Sequence, residues 1–211
     1  MKHVKNKYYK DEKTENIEGV DRGWGRGDVL KAFKEVGYSV AGIDLSEEAI
    51  ELCKPIEVRQ INIEIENDIN NYDRKFDVIF SKSLVEHLNQ PIKFFEYCKK
   101  MLKDAGVLIV LTHSWVNHKF GPFYLDFTHV TPFTLHSLRD IGKLSGFRYS
   151  SVEYFYQLPL IWKFGIFKQL SKLLAFLRLP YLPMYEGLTN IRWPEEINKY
   201  LRHSNEVMLL G

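Results

Sequence analysis

Asp21-Arg22-Gly23-Trp24-Gly25-Arg26-Gly27 decides how this chain reads. Three glycines alternate behind an acid, and a helix-forming stretch follows at once, from Asp28. Glycine removes the Cβ that would hold a ligand off the backbone, and it tolerates positive φ in a tight turn. Such a turn, between a strand end and a helix start, can seat a nucleoside-type ligand. The spacing also argues against a dinucleotide. The G-x-G-x-x-G fingerprint counted from Gly23 wants a third glycine at position 28, where the chain has Asp28.

Outward from this turn the chain alternates helices and strands. Val29, Leu30, Ala32, Phe33 and Val36 share one face of a helix over 28–36, and Gly37 ends it. Tyr38 to Ile43 reads as a strand with Asp44 at its carboxyl end, where a carboxylate can take both ribose hydroxyls. The bland role for Asp44 is entry to the helix that follows, but Ser46 is the better cap there, which favours the ribose role. Ile56 to Ile61 is a third strand, and 62–74 is polar and loop-like. A helix starts near Pro91, with Ile92, Phe95, Cys98 and Leu102 at helical spacing. Another runs from Thr134 to Ser145 and closes at Gly146. Phe147 to Gln157 and Asn205 to Leu210 complete the strands, so the fold class is α/β with helices on both faces of a mainly parallel sheet.

In its order of motifs the chain resembles class I S-adenosylmethionine-dependent methyltransferases, over roughly positions 17 to 157 and the final strand. The acid-x-G-x-G-x-G run is similar to motif I of that family. Lys75 to Leu88 is similar to its fourth strand and following loop, and Asp104 to Thr112 to a fifth strand entered through a glycine turn. His129-Val130-Thr131-Pro132-Phe133-Thr134 is similar to a segment of its small-molecule branch, which includes quinone-pathway O-methyltransferases. The resemblance implies a Rossmann-like, doubly wound, mainly parallel sheet with an antiparallel last strand. It implies S-adenosyl-L-methionine as cofactor, with Asp21, Gly23, Gly25 and Gly27 around its methionine and ribose parts. Asp44 would hold the ribose, Leu45 and Asn62 (or Glu64) would meet adenine, and Ser81 would lie near the methyl group, unless it is a plain loop residue. Two features depart from the pattern: the polar first strand, Asn16-Ile17-Glu18-Gly19-Val20, and Trp24 inside the glycine turn.

At 211 residues the chain reads as one domain over 16–211, preceded by a flexible charged segment over 1–15. A net charge of +2, with acids and bases interspersed, gives no reason to expect a nucleic-acid partner. Cys53 and Cys98 lack metal-ligand spacing and read as reduced thiols, and no apolar leader is visible. The expectation is a cytoplasmic protein without a bound metal, its oligomeric state open.

Methyl transfer to a hydroxyl needs alignment and a base of near-neutral pKa, usually histidine. The candidates are His129, with Asp126 fixing its tautomer, and His113 at the end of the fifth strand. The alternative for His129 is a hydrogen bond to nearby backbone that holds the loop. His87 reads as packing at the start of a helix. Residues 158–200 form a helical lid or insertion between the last two strands, strongly apolar over Leu158 to Tyr185. From Ile166 to Leu177 the apolar residues share a face opposite Lys168 and Lys172. That helix either packs on its own domain or docks peripherally on membrane to admit a lipid-like acceptor. Two functions follow: a methyltransferase acting on a small or lipid-like acceptor, at oxygen, or a non-catalytic relative that keeps the fold as a binding or membrane-associated module.

Overall fold

The computed structural model of the chain describes residues 18–22, 28–35, 37–64, 75–118, 122–156, 166 and 204–210. At its centre β4 (Phe76–Lys82) pairs in parallel with β1 (Glu18–Arg22) on one side and β5 (Leu102–His113) on the other. Beyond β1 the parallel run continues through β2 (Ser39–Asp44) to β3 (Glu57–Gln60). Beyond β5, β7 (Ser204–Leu210) lies antiparallel between β5 and β6 (Ser150–Tyr156). The order is therefore β3-β2-β1-β4-β5-β7-β6. The chain builds outward from β1 to β3, then returns to start the other half at β4. Between β1 and β4 lies the switch point where ligands bind in open α/β sheets.

Side-chain alternation along the central strands sorts the core into two layers. Ile79, Leu108 and Val110 face one way and join Phe94, Phe95, Cys98 and Met101 of α3 (Pro91–Met101) and Leu138 of α5 (Leu135–Leu144). Val78, Phe80, Ile109 and Leu111 face the other way, toward Val29 and Phe33 of α1 (Asp28–Glu35). Burial of both faces explains why β4 and β5 read as nearly continuous apolar runs. Helix α1 also presses on β2: a Cβ on Gly42 would sit 2.8 Å from Leu30 Cδ1 and 3.0 Å from Val58 Cγ2. Pro91 occupies the first turn of α3, where a missing N–H costs nothing. Short helices α2 (Glu47–Leu52) and α4 (Trp115–His118) follow β2 and β5.

Three details differ from the sequence expectation. Strand β1 begins at Glu18 and runs through Arg22, so Asp21 is a strand residue, level with Gly42 of β2 and Phe80 of β4. The polar character of Glu18 and Gly19 does not keep this strand from a central position. Gly106 lies inside β5 rather than in a turn leading to it. There the ladder to β4 shifts register between Phe76 and Val78, and a Cβ on Gly106 would stand 3.0 Å from the carbonyl oxygens of Phe76 and Lys103. Strand β6 starts at Ser150, after Gly146 has taken φ +83° beyond α5. The glycine turn 23–27, the segment 1–15 and nearly all of 158–200 lie outside the described residues; Ile166, the exception, is exposed. Among the described residues no helix is long and apolar enough to cross a membrane.

Candidate active site

The carboxyl ends of β2, β1, β4 and β5 form one edge of the sheet, and the candidate residues gather along it. On the β1–β2 side, Asp21 and Arg22 close β1, while Asp44 closes β2 next to them. The Asp44 carboxylate is half-buried, and its Oδ1 accepts the Ser46 N–H at 2.8 Å. A carboxylate has about four acceptor positions, so this Asx turn fixes its orientation and leaves acceptors for hydroxyl donors. Leu45 follows with 60% of its surface exposed, an apolar shelf beside a polar anchor. Its carbonyl accepts from Gln60 Nε2 (3.0 Å), which ties this corner to β3. Asn62 Oδ1 accepts the Glu64 N–H, and Glu64 Oε1 accepts the Asn89 N–H, so both adenine candidates already brace a loop. Ser81 is fully buried within β4, level with Arg22 of β1.

The β4–β5 side carries a histidine cluster built around Glu86. After β4 the chain turns through Ser83 at φ 52°, a left-handed conformation uncommon for non-glycine residues, with its N–H on the Leu111 carbonyl. A short 3-10 turn, Val85–His87, then buries Glu86 completely. Glu86 Oε2 accepts the Thr112 hydroxyl and Oε1 accepts Nδ1–H of His113, both at 2.8 Å. Burial pushes the Glu86 carboxyl upward, but the His113 bond and charge, with its backbone and Thr112 bonds, bring it below the usual value. The Glu86 backbone carbonyl accepts N–H groups from Val130 and Thr131, and the Thr131 hydroxyl donates to the Leu88 carbonyl. One residue thus joins the β4 loop, the end of β5 and the 126–134 segment.

His129 is buried, and its Nδ1 lies 2.6 Å from the Phe123 carbonyl, which only accepts, so this nitrogen carries the proton. This corrects the role assigned to Asp126. That carboxylate stands 3.9 Å from His129 Nε2, while its Oδ1 takes the backbone N–H (3.0 Å) and hydroxyl (2.5 Å) of Thr128. Those Thr128 bonds hold the Asp126 carboxyl below the usual range. Since Thr128 has given its hydroxyl hydrogen to Asp126, it accepts from His87 Nδ1 at 2.8 Å. His87 therefore ends a 3-10 turn inside the cluster instead of opening a helix. Its ring centroid lies 4.6 Å from that of His129, and the His113 centroid lies 5.3 Å from that of His129. The ligand atoms of Glu86, His113 and His129 fall within 4.8 Å of one another, as do those of His87, Asp126 and His129.

Sequence reasoning assigned no role to Glu86, Thr112 or the Phe123 carbonyl. The available signal was an acid set among apolar residues, Leu84-Val85-Glu86-His87-Leu88, just past a buried strand. Near the cluster the surface turns apolar: Phe127 is 90% exposed, Tyr124 61% and Val130 48%. Tyr124 packs edge-on against Trp115 and Phe123.

The strand order, with its switch point between β1 and β4, defines a Rossmann-like domain. The family described as methyltransferase domain matches residues 5–152, more than half of the chain, and the chain belongs to it. It is similar to the ubiquinone biosynthesis O-methyltransferase of Actinobacillus pleuropneumoniae, 33% identical over 103 residues, 44% of this chain and 44% of that protein. The Pelagibacter ubique protein of the same name is 31% identical over 107 residues, 48% of this chain and 44% of its own. The chain thus spans under half the length of these relatives. Among solved structures it resembles a SAM dependent methyltransferase from Archaeoglobus fulgidus (TM-score 0.64, 19% identity, 93% of this chain and 87% of that one). It also resembles Haemonchus contortus phosphoethanolamine N-methyltransferase 2, solved with S-adenosyl-L-methionine (TM-score 0.63, 18% identity, 99% of this chain and 51% of that one). At those identities the likeness shows a shared fold.

Proposed function

We propose that the chain binds S-adenosyl-L-methionine at the β1–β2–β4 edge and directs its methyl group to an oxygen of a small or lipid-like acceptor. The observation that carries this is the register of β1 and β2. It brings Asp21 and Arg22, at the carboxyl end of β1, level with Gly42 and Ile43 of β2, so that the end of β1 lies beside Asp44. The residues fit the group: Asp44 offers oriented acceptors for a ribose diol, and exposed Leu45 offers an apolar face for adenine. In this reading Gly23, Gly25 and Gly27 let the backbone approach the ligand, and Asn62 or Glu64 meets the adenine amino group. When bound, the cofactor supplies an electrophilic methyl on a sulfonium. The chain's part is to align the acceptor and to take its proton, for which His113 and His129 are the candidates. The likeness to ubiquinone biosynthesis O-methyltransferases and the apolar surface of Tyr124, Phe127 and Val130 favour an aromatic or lipid-like acceptor.

A covering role for residues 158–200 also belongs to this proposal. Strands β6 and β7 pair directly as antiparallel neighbours, which a few residues suffice to join, yet residues 157–203 run between them. A connection of that length beside a ligand-binding edge suits a helical lid.

Titration calorimetry with S-adenosylhomocysteine tests the cofactor reading. The wild-type chain is expected to bind at micromolar concentration. Asp44→Asn, which keeps the acceptor for Ser46 N–H, should bind roughly 10- to 100-fold more weakly, the worth of hydrogen bonds to a charged group. A folded wild-type protein that does not bind would favour the non-catalytic reading instead.

A further inference from the structure

We infer that Glu86 is a positioning residue for the transfer step, holding His113 in the tautomer whose Nε2 accepts the proton of the attacking oxygen. The inference rests on the methyl-transfer reading above and chooses between its two histidines. Glu86 has no exposed surface, and its oxygens are committed to Thr112 and to His113 Nδ1. Being ionised, it can only accept, so the His113 proton resides on Nδ1 and the lone pair on Nε2. A carboxylate behind an imidazole also stabilises the charge that develops as the ring takes up a proton. His129 has the same Nδ1–H arrangement, but its partner is the neutral carbonyl of Phe123, and the side chain is only 9% exposed. The His113 side chain is 29% exposed and closes β5 at the carboxyl edge, beside the end of β4.

The step balances as follows. The acceptor O–H proton passes to His113 Nε2 as the oxygen lone pair forms the new O–CH3 bond. The S–CH3 bond breaks with its electron pair going to sulfur, giving a neutral thioether and a methyl ether. The proton on His113 then leaves to solvent. Glu86 touches none of the reacting atoms; its effect passes through the ring it holds.

Two measurements test the assignment. The first needs no turnover: histidine-ring nitrogen spectra of the wild-type protein, above the pH at which the ring is charged, with His113 identified by its loss in His113→Gln. Nδ1–H is expected, and a ring carrying its proton on Nε2 overturns the assignment. The second compares wild type with Glu86→Gln, which keeps the size and an acceptor oxygen but removes the charge. With tritiated S-adenosylmethionine and an alkylated catechol as acceptor probe, kcat should fall tenfold or more. KM and S-adenosylhomocysteine affinity should stay within twofold. Full kcat in the variant overturns the assignment. Failure of the wild type to bind S-adenosylhomocysteine would sink the cofactor reading instead, and the wild-type tautomer would still decide whether Glu86 holds His113 in this way.

Discussion

Glu86 also governs how the fold responds to acid. Its carboxyl lies below the ordinary glutamate value in the folded chain, so folding favours its ionised form. The stability this provides is complete above about pH 4.3, the unfolded value, and is lost as pH falls through the lower folded one. Asp126, held down by Thr128, adds in the same direction at the surface. Melting temperature against pH should therefore drop more steeply below about pH 5 for wild type than for Glu86→Gln, with the gap constant above that; parallel curves would contradict it. The place of Asp44 at the end of β2 was legible in the sequence, because the apolar run Tyr38 to Ile43 leads straight into it. Glu86 was not, because its partners Thr112 and His113 stand 26 and 27 residues away and meet it only once β4 and β5 pair. Asp126 misled by proximity: three residues from His129, it finds a nearer partner in Thr128.

Helix α5 was readable in nearly every particular, since its ends are set by local chemistry. The Thr134 side chain accepts the Ser137 N–H, Ser137 Oγ accepts the Thr134 N–H, and Gly146 takes positive φ beyond the last turn. Thr134→Ala should cost about 1 kcal/mol in urea unfolding, the ordinary worth of an N-cap. Strand β5 was misread where non-local packing decides. Gly106 looks like a turn residue in sequence, but it lies inside β5, where the Phe76 carbonyl of β4 would stand 3.0 Å from any Cβ. Gly106→Ala should cost about 1–3 kcal/mol, more than Thr134→Ala, because two carbonyl oxygens as well as the Leu102 side chain would have to give way. Equal or smaller loss would mean the strands separate there more readily than their register suggests.

For the whole molecule, the alternation of strand and helix signals was enough to give the class and the parallel half of the sheet. The place of β1 between β2 and β4 is a finding of the structure, at a sequence that reads poorly for a central strand. Pairing on both sides supplies what the side chains of Glu18 and Gly19 do not advertise. The proposed lid raises a question at this scale: whether the apolar face over 166–177 closes on the domain or docks on lipid. If it docks, the protein should co-sediment with vesicles containing anionic phosphatidylglycerol at low salt and release as salt rises, since Lys168 and Lys172 would contribute through screened charge. A supernatant-only result at every salt concentration would favour packing within the protein.

The position of β7 has a further consequence, in time rather than space. Its seven residues are the wedge between β5 and β6, and within the described sheet they are the only neighbour of β6. While the chain emerges from the ribosome, β1 to β5 can assemble in order of appearance, but β6 must wait, unpaired, for residues made long after it. Until then both β5 and β6 present open strand edges, the surfaces on which nascent chains pair wrongly with one another. Completion of the described sheet therefore falls to β7, and quality control of this protein would act most strongly on chains that stall just short of Ser204.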